Sequence, residues 1–190
     1  MPWDSTMRIP RKGEKEKTDK EMAHIVYSRF ANGDTKTGIM FSLGGLYVRR
    51  YVIMASKSAV AAIRETDGVR FDAKLGIECS GLLPSKSKVC REHIIPVSAL
   101  YAHLDEKYKQ GKLTEAYILK WMPMLHLAII TEKENQKLKA AHLNSKMPDG
   151  WWSVVDRNGP KKANPLERYR KAGLSDSIWY SFKDKCLLLR

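Results

Sequence analysis

Long apolar runs are missing from this chain: none of 18 or more consecutive apolar residues occurs in its 190 residues. The most apolar segments, residues 51–63 and 118–130, are interrupted by Lys, Ser, His or Pro. No membrane span is therefore expected. Cysteine is also scarce, with Cys79, Cys90 and Cys186 at irregular spacing. That is too few for a disulfide framework, and a reducing cytoplasm is the expected setting. No apolar core follows the charged N-terminal residues, so no secretory signal is expected. Acidic residues are outnumbered, 21 against 34 Lys and Arg, giving a net charge of +13 and a pI near 9.7. An excess of this size favours a polyanionic partner, without distinguishing DNA, RNA or an anionic surface.

What is present reads as one generous domain with extensions. Residues 1–20 mix Lys and Arg with Asp and Glu and read as a mobile polar arm. Residues 21–68 read as a helical N-terminal region. A first helix runs from Asp19 or Lys20 to Ala31, stopped by Asn32-Gly33-Asp34. A second pattern over residues 38–66 has Leu46, Tyr47, Arg50, Tyr51 and Met54 at helical spacing. Residues 69–77 are strand-like, and residues 81–88 are a loop. Ile94-Ile95, joined directly to Glu92 and His93, form a short apolar run that Pro96 stops. Helices are expected from residue 97 to 110, ended by Gly111, and again from Thr114 to Trp121. Met124 to Ile130 reads as a buried strand.

Thr131-Glu132-Lys133-Glu134 has the form of a capping box, a Thr followed three residues later by a Glu, and predicts a helix from about Glu132 to Leu143. Asn135, Leu138 and His142 then share one helical face. Pro148-Asp149-Gly150-Trp151-Trp152 reads as a turn-rich loop, and Leu166 to Ala172 as a short helix. From Arg157 to the C-terminus there are nine Lys or Arg against three Asp or Glu. Trp151, Trp152, Tyr169, Trp179 and Tyr180 are interleaved with the charge. This basic and aromatic extension is a candidate backbone-contacting surface, set against a reading in which the aromatics are core.

The chemistry-bearing stretch is Cys90-Arg91-Glu92-His93-Ile94-Ile95-Pro96. Neighbouring side chains of a strand point to opposite faces, so Glu92 and His93 converge only if the strand ends or bends there. An acid-His pair at a strand end, a second strand, and then a capped helix with Asn and His resembles the HNH endonucleases, the ββα-metal nucleases. The segments that carry the resemblance are Glu92 to Pro96, Ile129 to Leu138, and His142. Continuing through Met147-Pro148-Asp149-Gly150-Trp151 and Arg168 to Gly173, the chain also looks like a group of uncharacterised bacterial and phage proteins. The resemblance covers residues 88–174.

It implies an α+β fold with a ββα-metal core over residues 69–150, a helical insertion at residues 97–121 between the two core strands, and a basic extension over residues 151–190. It implies hydrolysis of DNA phosphodiester bonds with a divalent cation, magnesium or manganese. His93 would be the general base, Glu92 a metal ligand, Asn135 a ligand or an orienter of the base, and His142 a further ligand. Lys139, Lys146, Arg168, Arg170 and Lys171 are the expected phosphate contacts. A palindromic target would call for a homodimer. The chain departs from the pattern in having Glu92 where Asp is usual, and in the long separation of His93 from Asn135. Two other readings stand beside this one: a nucleic-acid-binding module without catalysis, and a structural-zinc protein using Cys79, Cys90 and His93.

Overall fold

A computed structural model describes residues 19–48, 52–64, 88–174 and 179–181. Most of the N-terminal arm, the strand-like run at 69–77 and most of the loop at 81–88 lie outside these residues. The fold is α+β, mostly helical around one small mixed sheet. Its strands are β1 (Val52–Ser56), β2 (Val89–His93), β3 (Leu127–Thr131) and β4 (Trp179–Ser181), in the order β2-β3-β1-β4. β1 is parallel to β3, whereas β2 and β4 pair antiparallel on either side. Among the described residues, no helix is long and apolar enough to cross a membrane.

The first helical region contains a strand. α1 (Asp19–Ala31) and α2 (Lys36–Val48) are followed by β1 and then α3 (Lys57–Arg64), where the spacing of Leu46 to Met54 predicts continuous helix. β1 is one of the two inner strands of the sheet, and inner strands are apolar without alternation, a pattern that a buried helix shares. Ser56 marks the switch to helix: its Oγ accepts from the Ala59 amide at 3.1 Å and caps α3.

The expected insertion folds as α4 (Val97–Lys109), α5 (Glu115–Leu119) and a 3₁₀ turn at Met122–Met124. α5 packs on α1 and α4 on α2, so the insertion leaves β2 and β3 free to pair. Thr114 caps α5, accepting from the Tyr117 amide at 3.1 Å. α6 (Glu132–Ala140) follows β3 without a break. α7 (Trp151–Asn158) and α8 (Glu167–Lys171) complete the described chain before β4. Trp151 and Trp152 therefore begin a helix, where turn residues predict a loop.

Alternation along the strands divides the core in two. Leu127 and Ile129 face a large cluster with Val26, Phe30, Leu100, Ile118 and Trp121. Ala128 and Ile130 face a smaller one with Leu138, Leu143 and Tyr169, with Cys90 packed against it. Trp151 and Tyr169 are buried and Trp152 stacks on His103, with ring centroids 4.3 Å apart. These aromatics of the C-terminal segment are core and do not form a stacking surface.

Candidate active site

The hairpin register locates each candidate. Val89 pairs with Thr131, Glu92 with Ala128 and His93 with Leu127. The ladder extends one step further, the Ile94 amide donating to the His126 carbonyl at 3.0 Å. The chain then bends at Ile94–Ile95, and Pro96 leads into α4. Glu92 shares the face of Ala128 and Ile130, toward α6; His93 shares the face of Leu127. Strand alternation thus sends the two side chains to opposite faces, with His93 the last residue before the bend.

α6 begins where Glu132 donates its amide to the Lys88 carbonyl at 2.9 Å, at the Val89 end of the hairpin. Its capping box is complete: the Thr131 hydroxyl accepts from the Glu134 amide at 3.2 Å, and the Glu134 carboxylate accepts from the Thr131 amide at 2.7 Å. The same buried carboxylate accepts from Ser56 Oγ at 2.6 Å, tying the start of α6 to the end of β1. Nine helical residues rise about 13 Å, and four strand steps also cover about 13 Å. α6 is thus long enough to span the hairpin, and one arginine side chain, that of Arg168, bonds both the Leu143 carbonyl just past α6 and the Ile94 carbonyl, which sets the C-terminal end of α6 at the end that holds His93.

Asn135 lies in the first turn of α6 and His93 at the opposite end of the hairpin, so the backbone does not bring these two together. His142 is delivered to the His93 end instead. It does not share a helical face with Asn135, because α6 ends at Ala140 and His142 has a left-handed φ of 55°. The Leu143 amide reaches back to Leu138 at 2.8 Å and the His142 amide to Lys139 at 2.9 Å. This is a Schellman ending with His where glycine is usual.

The residue that organises this end is Arg168, expected from sequence to be a phosphate contact. Its side chain is 0% exposed. Nε donates to the Ile94 carbonyl at 3.0 Å and Nη1 to the Leu143 carbonyl at 2.7 Å. Nη2 donates to Glu92 Oε1, to the His93 carbonyl at 2.5 Å and to the Tyr169 hydroxyl at 3.1 Å. The guanidinium also lies over the Tyr169 ring, 4.7 Å from its centroid. A fully buried group whose three nitrogens each donate to protein oxygens is closed to a nucleic acid. Arg170 and Lys171 are exposed, although Arg170 is engaged by Glu167 through two bonds. Lys139, in the last turn of α6, and Lys146, next to the Ser145 carbonyl that accepts from Ser98 Oγ at 2.8 Å, are exposed at the His93 end.

Burial first, and then the charge of Arg168, pull the His93 pKa down to about 4, so the imidazole is neutral across physiological pH. Burial first, then Glu92, push the Cys90 thiol up to about 11. Cys90 and His93 point to opposite faces of β2, and Cys79 lies outside the described residues, so β2 offers no Cys-His pair for zinc. Among the described residues, no group of three His, Cys, Asp or Glu converges as a metal site. Magnesium and manganese ask for less, taking one or two carboxylates together with water and substrate phosphate. Glu92, 17% exposed and holding Arg168 through Oε1, retains a second oxygen and fits that mode. Compared with protein-family models, curated proteins and solved structures, the chain matches none.

Proposed function

We propose that this chain is a divalent-metal-dependent endonuclease of the ββα-metal type that hydrolyses phosphodiester bonds of DNA. The observation that carries the reading is the hairpin itself. β2 and β3 pair antiparallel and run directly into capped α6, with Glu92 and His93 at the open end. Two segments that are remote in sequence therefore become one strand-strand-helix unit. Hydrolysis needs an acceptor for the proton of the attacking water; neutral His93 lies on the opposite face of β2 from Glu92, and in this reading it takes that proton round the open end of the strand. Glu92 offers the carboxylate for a magnesium or manganese ion, and His142 is the second side chain at that end. When bound, such an ion relieves charge on the phosphoryl and leaving oxygens. Asn135 is left out of the proposed site by the register. Exposed Lys139 and Lys146 flank the same end and suit the DNA backbone, supplying affinity without sequence readout.

One observation favours a second reading: the Glu92 carboxylate is held by Arg168, as a purely structural residue would be. The chain would then be a nucleic-acid-binding module. Nicking of supercoiled plasmid, measured beside filter binding, separates the two. The nuclease reading expects relaxed circles in magnesium or manganese and none with a chelator. Binding with no cleavage of DNA or RNA in any divalent metal would contradict it and leave the binding module.

A further inference from the structure

The fully buried guanidinium of Arg168, bonded at once to the Glu92 carboxylate and to the main chain of His93, Ile94 and Leu143, leads us to propose that Arg168 is the positioning residue of the metal site. This inference rests on the nuclease reading. A carboxylate on a strand end has several rotamers, and a single hard cation held by one protein carboxylate depends on which of them is populated. Arg168 fixes it by taking Oε1, which leaves Oε2 for the cation. Its other donors fix the frame: the His93 and Ile94 carbonyls define where β2 stops, and the Leu143 carbonyl pins the chain just after His142 to that stop. The Tyr169 hydroxyl and ring hold the guanidinium in place. Partners of ligating carboxylates, one step removed from the metal, set ligand orientation, and their loss costs about 10–100-fold in metal affinity or activity. Lysine cannot substitute, because it keeps the charge but lacks the planar fork that reaches several oxygens together.

The test is a Mn²⁺ titration of the amide spectrum of the full chain, following paramagnetic broadening at residues 91–95 without DNA, with the Mn²⁺ dependence of plasmid cleavage run in parallel. Arg168→Lys isolates geometry from charge. In the wild-type background it is expected to weaken Mn²⁺ binding about tenfold, and to raise the Mn²⁺ concentration for half-maximal cleavage by the same factor, with cleavage at saturating Mn²⁺ largely kept. Glu92→Gln alone is expected to abolish the Mn²⁺ broadening at residues 91–95, because Arg168 acts through the Glu92 carboxylate. Broadening that survives in Glu92→Gln, or unchanged affinity in folded Arg168→Lys, overturns the proposal. Tyr169→Phe, which removes one oxygen that holds the guanidinium, serves if Arg168→Lys does not fold. A weakening of about two- to threefold is expected, well below the full loss of an outer-shell partner, and unchanged Mn²⁺ affinity again overturns the proposal. A wild type that shows no Mn²⁺ broadening near Glu92 and no cleavage overturns the nuclease reading itself. Normal behaviour of the wild type with indifferent variants overturns only the role of Arg168.

Discussion

At the scale of single residues, Arg168 and Glu92 illustrate how differently the two members of a buried ion pair respond to loss. Removing Arg168 leaves a partly buried carboxylate and three main-chain carbonyls without their donor. Breaking a buried pair in this way costs about 3–5 kcal/mol. Arg168→Met is therefore expected to shift urea unfolding to lower denaturant by that amount. Glu92→Gln keeps an oxygen for the guanidinium and is expected to cost about half as much or less, since a neutral acceptor replaces a charged one. Equal costs would show that the pair is not the main interaction of Arg168. None of this is visible in the sequence, where Arg168 sits among Glu167, Arg170 and Lys171 in a segment that reads as a basic surface for a phosphate backbone. Burial of a charge depends on which oxygens surround it in space, and local composition carries no signal of that. Tyr169 and Leu166 beside it, both buried, are the one hint that this short helix has an inward face.

At the scale of elements, α6 is the most instructive. Its start was legible because a capping box is local chemistry: Thr131 and Glu134 satisfy each other's amides whatever the rest of the chain does. The ends of α1 and α4, at Gly33 and Gly111, were legible for the same kind of reason, since both glycines adopt positive φ. The far end of α6 was not, because a Schellman ending ordinarily shows glycine and here shows His142 at φ 55°. A left-handed non-glycine residue costs about 1 kcal/mol or more. His142→Gly is therefore expected to raise the melting temperature by a few degrees, consistent with a gain of up to about 1 kcal/mol, while reducing cleavage if the imidazole serves the site. A destabilised His142→Gly protein would show that the imidazole makes a structural contact outweighing the strain. β1 and α7 were hidden by tertiary context. β1 is an inner strand whose apolar run lacks a two-residue period, and α7 begins after Gly150 at φ 78° with no side-chain cap. The pairing of β2 with β3 across the insertion was legible only through the family resemblance, as nothing local to either strand specifies its partner.

At the scale of the whole molecule, net charge and two histidines, His103 buried and His93 partly buried, set the response to solution conditions. His93 and His103 both have folded-state pKa values lowered to about 4, in each case chiefly by burial. His103 lies among Trp121, Trp152 and Tyr117, with its Nε2 2.7 Å from the Tyr117 hydroxyl. Unfolded histidine titrates near 6.5, so between about 6.5 and 4 the unfolded chain binds more protons than the folded one. Stability is therefore expected to be level above pH 7 and to fall as the pH drops from about 7 to about 4, by several kcal/mol from the two groups together. Urea titrations at pH 7.5, 6 and 5 check this, and a midpoint that does not move would contradict the lowered pKa of both rings. The excess of 13 positive charges predicts DNA binding that weakens steeply with salt, and Lys139→Ala or Lys146→Ala should each reduce the slope of log K against log salt by about one. The central claim is that the open end of the β2–β3 hairpin carries phosphodiester hydrolysis through His93. The most direct measurement is the single-turnover rate of duplex cleavage in Mn²⁺ by the wild type and by His93→Ala, with folding of both verified by their amide spectra. Loss of a general base lowers such a rate by about 10²- to 10⁴-fold, and that is the result expected; a folded His93→Ala protein that cleaves at the wild-type rate would contradict the account.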